Sequence, residues 1–337
     1  MKILLTGGAG FIGHHFVEHI LKNTDWEIAV IDSLSYASRG FDRIRDIQAF
    51  DEKRVRMFTC DFTNPIDQEL ERELGDFDYI IHMGAESHVD NSITDPRKTF
   101  NTNVIGTIEM LEFARRQKNL KKFVFFSTDE VFGPAGKFNF KEGDRHNPSN
   151  PYSASKAGAE DACVAYANTY KIPIVITNTM NVFGERQHPE KFVPKCVKYI
   201  LDGQTIPIHA NPAKTKAGSR FWIHARNVSD ALLFILENTD EILDIHKESE
   251  GRFNIVGEKE LDNLEIAKLV AQVLGKELKY EMVDFHSSRP GHDMRYGMDG
   301  SKLNNLGWVK ASNIEESLKK TIKWMIRKEN RRWLDIA

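Results

Sequence analysis

The chain has 337 residues, of which 41% are hydrophobic and 28% charged, and its mean hydropathy is −0.44. These values are typical of a folded globular protein of about two domains, and they exclude a polytopic membrane protein and an intrinsically disordered chain. The 46 basic and 49 acidic residues give a net charge of −3, which offers no overall field for nucleic acid or an anionic membrane. Any anionic ligand is therefore expected to be recognised locally.

The cysteines and the N-terminal segment bear on the compartment. Cys60, Cys163 and Cys196 are odd in number and widely spaced in a chain too long to need disulfides, which favours a cytoplasmic location without a zinc framework. The apolar run after Met1 breaks at Gly7, too soon for the apolar region of a signal peptide. No stretch approaches the ~18 apolar residues of a bilayer span. We expect no membrane segment and no metal.

The first half of the chain alternates short apolar runs with helical patterns. Six β-branched or apolar runs predict strands, and their apolar character on both faces indicates a parallel sheet. Because helical patterns separate them, we predict an α/β fold with a doubly wound parallel sheet. The predicted strands are 2–6, 27–32, 55–59, 79–83, 122–127 and 174–178, and the predicted helices are 11–23, 66–74, 98–118 and 152–170.

Beyond about residue 180 the pattern becomes looser and predicts a smaller lobe interleaved with the sheet domain. A stretch rich in proline, lysine and glycine covers 212–218. Helices are predicted near 226–237, 263–274 and 313–328, with a strand at 253–256. We expect a Rossmann-like, NAD-binding domain at 1–180 with about 222–245, and a substrate-binding lobe at 181–221 and 246–337.

A glycine-rich turn follows the first predicted strand. Residues 6–13 have the spacing G-x-x-G-x-x-G and open a helix, where backbone N–H groups can approach a pyrophosphate, although a plain tight turn also explains glycines. Asp32 lies at the end of the second strand, about 20 residues on, where a carboxylate accepts the ribose hydroxyls and repels a 2′-phosphate. The pattern therefore predicts NAD rather than NADP. The cofactor-binding candidates are Gly7, Gly10, Phe11, Ile12, Gly13, Asp32 and Asp61, of which the last has an ordinary loop aspartate as its alternative.

Two further motifs follow the fifth predicted strand. Tyr152 and Lys156 lie four residues apart on one helical face, so the ammonium can lower the pKa of the phenol and also hold the nicotinamide ribose. Such a pair suits hydride transfer at a carbinol. Asp129 and Glu130 are consecutive at the strand exit, where separate environments could keep one protonated and the other ionised. A turn-forming acidic pair is the alternative.

These motifs together resemble the extended short-chain dehydrogenase/reductase family and, within it, the nucleotide-sugar 4,6-dehydratases of the dTDP-glucose 4,6-dehydratase type. The Thr-Asp-Glu triplet is the discriminating feature, since sister epimerases usually have serine or threonine without the acidic pair and sister decarboxylases typically have Thr-Ser-Glu. The matching stretches are TGGAGFIG at 6–13, DSLSYAS at 32–38, HMGAESHVDNSI at 82–93, TNVIGT at 102–107, STDEVFG at 127–133, YSASK at 152–156, NVFGERQHPEKFVPK at 181–195, FNIVG at 253–257, RPGHDMRYGMD at 289–299 and LGW at 306–308.

The resemblance implies a role for each matching residue. Tyr152, with Lys156 as its partner, would remove the 4-hydroxyl proton of the sugar while hydride passes to NAD. Glu130 would then take the C5 proton and Asp129 would donate a proton to the departing C6 hydroxyl. Thr128 would hydrogen-bond the 4-oxygen, where negative charge develops. The expected product is a 4-keto-6-deoxy sugar nucleotide with NAD regenerated.

The resemblance also implies a substrate pocket, although a structural salt bridge or cap is the alternative for each residue. Arginines suit a diphosphate because their donors fork across its oxygens. Glu185 and Arg186 replace a common Pro-aromatic pair, and the segment 209–227 is longer and more basic than usual. We therefore favour dTDP-glucose but keep UDP-glucose, UDP-N-acetylglucosamine, GDP-mannose and CDP-glucose open. The substrate-binding candidates are Ser87, Asn181, Glu190, Lys191, Arg220, Asn254 and Arg289.

The sequence also bears on two alternative functions and on the oligomeric state. A nucleotide-sugar 4-epimerase or a UDP-glucuronate decarboxylase uses the same scaffold, but the acidic pair argues against both. A non-catalytic NAD-binding regulator is disfavoured because Tyr152 and Lys156 are both present. The resemblance implies a homodimer in which the helices near 98–118 and 152–170 form a four-helix bundle. The expected contact residues are Ile108, Leu111, Phe113, Ala162, Ala165 and Tyr166.

Overall fold

The computed structural model of the chain describes residues 1–239, 251–284 and 294–335. The strands are β1 Lys2–Thr6, β2 Glu27–Asp32, β3 Val55–Thr59, β4 Tyr79–His82, β5 Lys122–Thr128, β6 Ile174–Thr179, β7 Asn181–Phe183, β8 Ile206–Ala210, β9 Ser219–His224, β10 Arg252–Ile255, β11 Glu260–Asp262 and β12 Tyr280–Asp284. The helices are α1 Phe11–Asn23, α2 Asp42–Asp46, α3 Gln68–Leu74, α4 Val89–Thr94, α5 Pro96–Phe100, α6 Gly106–Arg116, α7 Pro151–Tyr170, α8 Phe192–Leu201, α9 Ala225–Asn238, α10 Asn263–Leu274, α11 Ser301–Asn305 and α12 Ile314–Met325.

Seven strands form the main sheet in the order β10-β6-β5-β4-β1-β2-β3, and all of their pairings are parallel. The predicted doubly wound α/β fold is therefore confirmed. Because β1 lies between β2 and β4, successive strands are added on opposite sides of β1. A sheet of this kind leaves a crevice at the carboxyl ends of its strands where the direction changes.

Side chains on each central strand alternate between two apolar layers, as the two-residue period of a strand requires. Ile3 and Leu5 of β1 pack in one layer with α1 and α9. Leu4 points to the other layer, where it joins residues of α6 and α7. This double burial explains why the strands have apolar residues at every position rather than at every second one.

A smaller lobe packs beside the carboxyl edge of the main sheet. It contains a three-stranded sheet, β11-β9-β7, and the parallel pair β12-β8, with a separate core formed largely by α8, α10 and α12. The range 246–337 was expected to lie wholly in this lobe, and that expectation is wrong for β10. This strand pairs with β6 and forms an edge of the main sheet, with Asn254 opposite Asn178.

Local sequence signals determine helix α7 and the turn after β5, which contain the candidate catalytic residues. Asn150 caps α7, its side chain accepting from the N–H of Ser153, and Pro151 occupies the first helical position. After β5 the chain makes a 3₁₀ turn, Asp129–Phe132, which ends at Gly133 with a φ of +74°. A Cβ there would lie 2.3 Å from the carbonyl oxygen of Asn147, so the turn requires glycine.

The predicted helix 98–118 has a more complex form. The structure has α5, then a π-helical turn at Asn101–Ile105, and then α6. Within the described part of the chain, no helix is long and apolar enough to cross a membrane.

Candidate active site

A cleft of about 600 Å³ opens between the carboxyl edge of the main sheet and the smaller lobe. Its walls bring together residues from Gly7 to Trp222, across well over half of the chain. The predicted site residues that line it are Gly7, Gly10, Phe11, Ile12, Gly13, Asp32, Asp61, Ser87, Thr128, Asp129, Glu130, Tyr152, Lys156, Asn181, Glu190 and Lys191.

The glycine-rich turn forms one end of the cleft. Gly7 has a φ of +71°, and a Cβ on Gly13 would lie only 2.2 Å from the Gly7 carbonyl oxygen. Helix α1 begins directly after Gly10, whose lack of a side chain leaves the first backbone N–H groups open. This arrangement fits the pyrophosphate of a dinucleotide, which binds best at an unobstructed helix N-terminus.

Asp32 stands beside this turn at the end of β2. Its Oδ2 accepts from the N–H of Ala9 at 3.0 Å and its Oδ1 from the N–H of Leu34 at 2.8 Å. Burial raises the pKa of Asp32, while these two backbone donors oppose the rise. The carboxylate therefore joins the glycine turn to the next loop and leaves acceptor capacity for a ribose hydroxyl. Asp61 is exposed, and its Oδ1 accepts from the N–H of Thr63 in its own turn at 3.0 Å.

Tyr152 and Lys156 lie at the opposite end of the cleft, on the first turns of α7. The Lys156 ammonium donates to the carbonyl oxygen of Phe126 at 2.7 Å, and burial lowers its pKa to about 8. The Tyr152 phenol lies close to the Thr128 hydroxyl. Burial and then the charge of Glu130 raise the pKa of Tyr152, so the expected lowering by Lys156 is not found.

The acidic pair occupies the turn after β5. Asp129 is 4% exposed, and its Oδ1 accepts from the Thr128 hydroxyl at 3.1 Å. Burial and the charge of Glu130 raise the pKa of Asp129 to about 7, and Arg220 opposes them. Glu130 is half-buried, and its Oε2 accepts from the Asn150 amide at 3.2 Å. Near neutral pH the pair can therefore provide a proton donor beside a carboxylate.

The raised pKa of Asp129 predicts a pH-dependent stability change in Asp129→Asn. The folded state holds the proton up to about pH 7, whereas an unperturbed aspartate has a pKa of 3.8. As the pH rises from about 4 to 7, the unfolded chain releases this proton while the folded chain keeps it, so the free energy of unfolding falls. Asp129→Asn should be more stabilising at pH values above about 7 than near pH 4, as measured by urea unfolding.

Asp161 on α7 provides the control for that measurement. Its side chain is 75% exposed, so Asp161→Asn should change stability by less than about 0.5 kcal/mol at either pH. An equal effect of Asp129→Asn at both pH values would contradict the raised pKa.

A buried carboxylate, which the sequence analysis missed, lies behind the catalytic strand end. Glu160 is completely buried one turn beyond Lys156, and its Oε1 accepts from Asn178 at 2.7 Å. Its Oε2 accepts from Arg252 at 2.6 Å and lies 3.1 Å from His146 Nε2. Burial opposes ionisation, but the hydrogen bond from His146 and the charge of Arg252 outweigh it and lower the pKa of Glu160 to about 2.

Two of the predicted substrate residues that the structure describes, Arg220 and Asn254, do not line the cleft. Arg220 is buried, with its guanidinium over the ring of Tyr296. Asn254 is fully buried, and its amide donates to the carbonyl oxygens of Phe140 and Asp299, both at 3.1 Å, which is a structural role. Arg289 lies outside the described residues.

Other residues that line the cleft were not among the predicted site residues. Lys98 pairs with Glu86 at 2.8 Å, and both line it. Gln187 and His188 also line the cleft, directly after Glu185 and Arg186, which replace the common Pro-aromatic pair. Arg43 reaches the cleft from α2. Among residues 1–239, 251–284 and 294–335, no group of three or more histidines, cysteines, aspartates or glutamates is arranged to hold a metal ion.

A parallel sheet with a glycine-rich turn, a carboxylate after β2 and a Tyr-Lys pair on α7 defines a Rossmann-type, dinucleotide-dependent enzyme. A match between the sequence and a family model identifies the family within this class. Residues 4–321 match the model described as GDP-mannose 4,6 dehydratase, and the chain belongs to that family of nucleotide-sugar 4,6-dehydratases.

Two relatives and two solved structures illustrate the similarity. The chain is 36% identical to the low-salt glycan biosynthesis protein Agl12 of Haloferax volcanii, over 97% of this chain and 99% of that protein. It is 33% identical to dTDP-glucose 4,6-dehydratase of Salmonella typhimurium, over 99% and 95% of the two chains. The structure of DesIV, a dTDP-glucose 4,6-dehydratase from Streptomyces venezuelae with NAD and TYD bound, superposes with a TM-score of 0.85 at 34% identity, covering 99% and 100%. UDP-glucose 4-epimerase of Thermus thermophilus, in complex with NAD, gives 0.82 at 27% identity, covering 96% and 98%.

Proposed function

We propose that the protein converts dTDP-glucose to the 4-keto-6-deoxy sugar nucleotide, as an NAD-dependent 4,6-dehydratase. The observation that carries the proposal is the pair at the exit of β5, where Asp129 has a pKa of about 7 and lies beside Glu130. Both line the cleft that also contains Tyr152 and Lys156. An oxidising Tyr-Lys pair and an acid/base pair in one cleft are what oxidation followed by elimination needs.

NAD is the cofactor, and when bound it supplies the acceptor that takes hydride from C4 of the sugar and returns it at C6. The glycine turn and Asp32 suit its pyrophosphate and adenosine ribose, and Lys156 suits the ribose of its nicotinamide. Tyr152 takes the proton of the 4-hydroxyl, a role that requires its phenol, whose pKa burial raises, to ionise first. The Thr128 hydroxyl, which donates to Asp129 in this structure, would turn to donate toward the developing 4-oxyanion.

The elimination step uses the turn after β5. Once C4 is a ketone, the neighbouring C5–H is acidic, and Glu130 removes this proton. Asp129 gives its proton to the C6 hydroxyl, which leaves as water. The buried position of Asp129 suits this role, because burial keeps the carboxyl protonated near neutral pH until substrate arrives.

The nucleotide part of the substrate would occupy the lobe side of the cleft. Asn181, Glu190 and Lys191 line that side, together with Ser87 from the sheet domain. The choice of dTDP-glucose is supported by the names of the Salmonella and Streptomyces relatives, and the match to a GDP-mannose dehydratase model keeps GDP-mannose in the test.

The test is to incubate the purified protein with dTDP-glucose, UDP-glucose, UDP-N-acetylglucosamine, GDP-mannose and CDP-glucose, and to look for loss of water by mass spectrometry. We expect dehydration of dTDP-glucose, and NAD rather than NADP in the supernatant of denatured protein. Dehydration of a different sugar nucleotide would correct the substrate alone. A C4 epimer without loss of water would replace the dehydratase with an epimerase.

We also propose a homodimer and a cytoplasmic location. Leu111 and Phe113, expected at the interface, are fully buried in the core of the monomer. Phe100, Ile105 and Tyr170 on or beside the same helices are 41%, 43% and 44% exposed, which supports a partner on this face. A monomer by light scattering at micromolar concentration would contradict the dimer. The location rests on the three free cysteines.

A further inference from the structure

Arg43 on α2 is a buried arginine that no motif predicted. It is 0% exposed and lines the cleft at the end formed by the glycine turn. Burial lowers its pKa to about 10, so it is still charged near neutral pH. Burying a charged guanidinium is expensive unless its donors are used, so its contacts should explain its presence.

The Arg43 guanidinium connects the two loops that form this end of the cleft. Its Nη1 donates to the carbonyl oxygens of Ala37 and Ser38, both at 2.7 Å, in the loop after Asp32. The same nitrogen lies 3.4 Å from the carbonyl oxygen of Ala9 in the glycine-rich turn. Asp32 bonds the N–H of Ala9 as well, so Arg43 and Asp32 hold the turn from two directions.

A distant segment fixes Arg43 from its outer side. The 3₁₀ turn Lys328–Leu334 places Trp333, 1% exposed, with the centre of its ring 5.2 Å from the Arg43 guanidinium carbon. The indole N–H donates to Asp46 Oδ2 at 2.9 Å, and Arg332 bonds the other oxygen of the same carboxylate. Trp333 also lies 5.0 Å from the guanidinium carbon of Arg39, which belongs to the loop after Ser38.

We propose that Arg43, held in place by Trp333, is a positioning residue for the adenosine half of the NAD site, so that the turn Lys328–Leu334 controls how tightly NAD is retained. The glycine turn and the loop after β2 are separate in sequence and depend on backbone contacts for their spacing. Arg43 bonds both, and Trp333 with Asp46 limits its movement. This inference rests on the proposed function, because it takes NAD as the cofactor.

The test measures NAD and AMP affinity in NAD-stripped protein by titration calorimetry. Trp333→Ala and Arg43→Met should each weaken both ligands by at least about tenfold, because the loops that contact the adenosine half lose their common support. At saturating NAD, turnover of Trp333→Ala should stay close to that of the wild type, since Trp333 does not line the cleft. Trp333→Phe keeps the ring over Arg43 and should restore most of the affinity.

Trp308 provides a matched control outside the cleft. It is 3% exposed, its indole N–H donates to Asp230 Oδ2 at 2.8 Å, and the Lys310 ammonium lies 4.9 Å from its ring centre. Trp308→Ala removes equivalent interactions and should leave NAD affinity unchanged.

Equal losses of affinity in Trp308→Ala and Trp333→Ala would overturn the proposal, as would wild-type affinity in Arg43→Met. If Trp333→Ala fails to fold, Arg43→Met and Trp333→Phe decide the matter by the same titrations. Wild-type protein that binds no NAD would instead refute the proposed function.

Discussion

Glu130→Gln should reduce dehydration by about 100-fold or more, the scale expected for losing a positioned general base. It should still oxidise the sugar, because the Tyr152 phenol and the Lys156 ammonium are unchanged. The absorbance of the reduced nicotinamide should therefore rise when substrate is added and persist. Tyr152→Phe should abolish both this absorbance change and the dehydration, since oxidation comes first.

The structure explains why Glu130→Gln should affect dehydration and not oxidation. It also offers a control variant. The Glu130 carboxylate is held by the Asn150 amide, and glutamine at position 130 can keep that contact. Glu142→Gln tests a generic effect, because Glu142 is buried outside the cleft and accepts from the N–H of Asn254, as glutamine can. This control should dehydrate the sugar normally. Near-normal dehydration by Glu130→Gln, or no exchange of C5–H with solvent deuterium in the wild type, would contradict the elimination role.

Glu160→Gln should destabilise the protein by about 3 kcal/mol or more, because it leaves the Arg252 guanidinium partly buried without its carboxylate. The pKa of Glu160 is about 2 in the folded state, whereas an unperturbed glutamate has a pKa of 4.5. The stabilisation by Glu160 is thus fully present above about pH 4.5 and is lost as the pH falls toward 2. The difference between wild type and variant in urea unfolding should therefore shrink on acidification.

The same substitution should also change the pH profile. Glu160 opposes the effect of burial on Lys156, so its removal should move the pKa of Lys156 below about 8 and shift the alkaline limit of turnover to lower pH. Glu315→Gln provides the surface control, because the Glu315 side chain is 48% exposed and pairs with Lys259. It should lose less than about 1 kcal/mol. A similar loss in both variants would contradict the buried ion-pair account.

The fold was predictable where the signal is local. The helix predicted at 263–274 coincides with α10, because Asp262 and Glu265 form a capping box and Gly275 ends the helix. The sheet assignment of β10 was not predictable. Its residues fit a buried strand in either sheet, and pairing with β6 is a contact between segments far apart in the chain.

The site residues were also predictable where the signal is local and not where it depends on packing between distant segments. The glycine turn, Asp32 and the residues after β5 follow strands directly, so their place at the carboxyl edge could be inferred. Arg43 and Glu160 carry no motif, because their roles depend on which segments pack against α2 and α7. Asn254 was misassigned because a matching motif does not say whether a side chain faces the cleft or the core. The expected low pKa of Tyr152 was wrong because Glu130 lies near the phenol and burial disfavours its ionisation.

The residues that would set the type of reaction are confined to the turn Asp129–Phe132, apart from the elements that bind the cofactor. The residues proposed for oxidation lie on α7, whereas both residues proposed for elimination lie in this one turn. The Thermus thermophilus protein, named as an epimerase, shares the backbone with a TM-score of 0.82. We therefore expect substitutions confined to this one turn at the end of β5 to remove dehydration, while oxidation by the residues of α7 is retained.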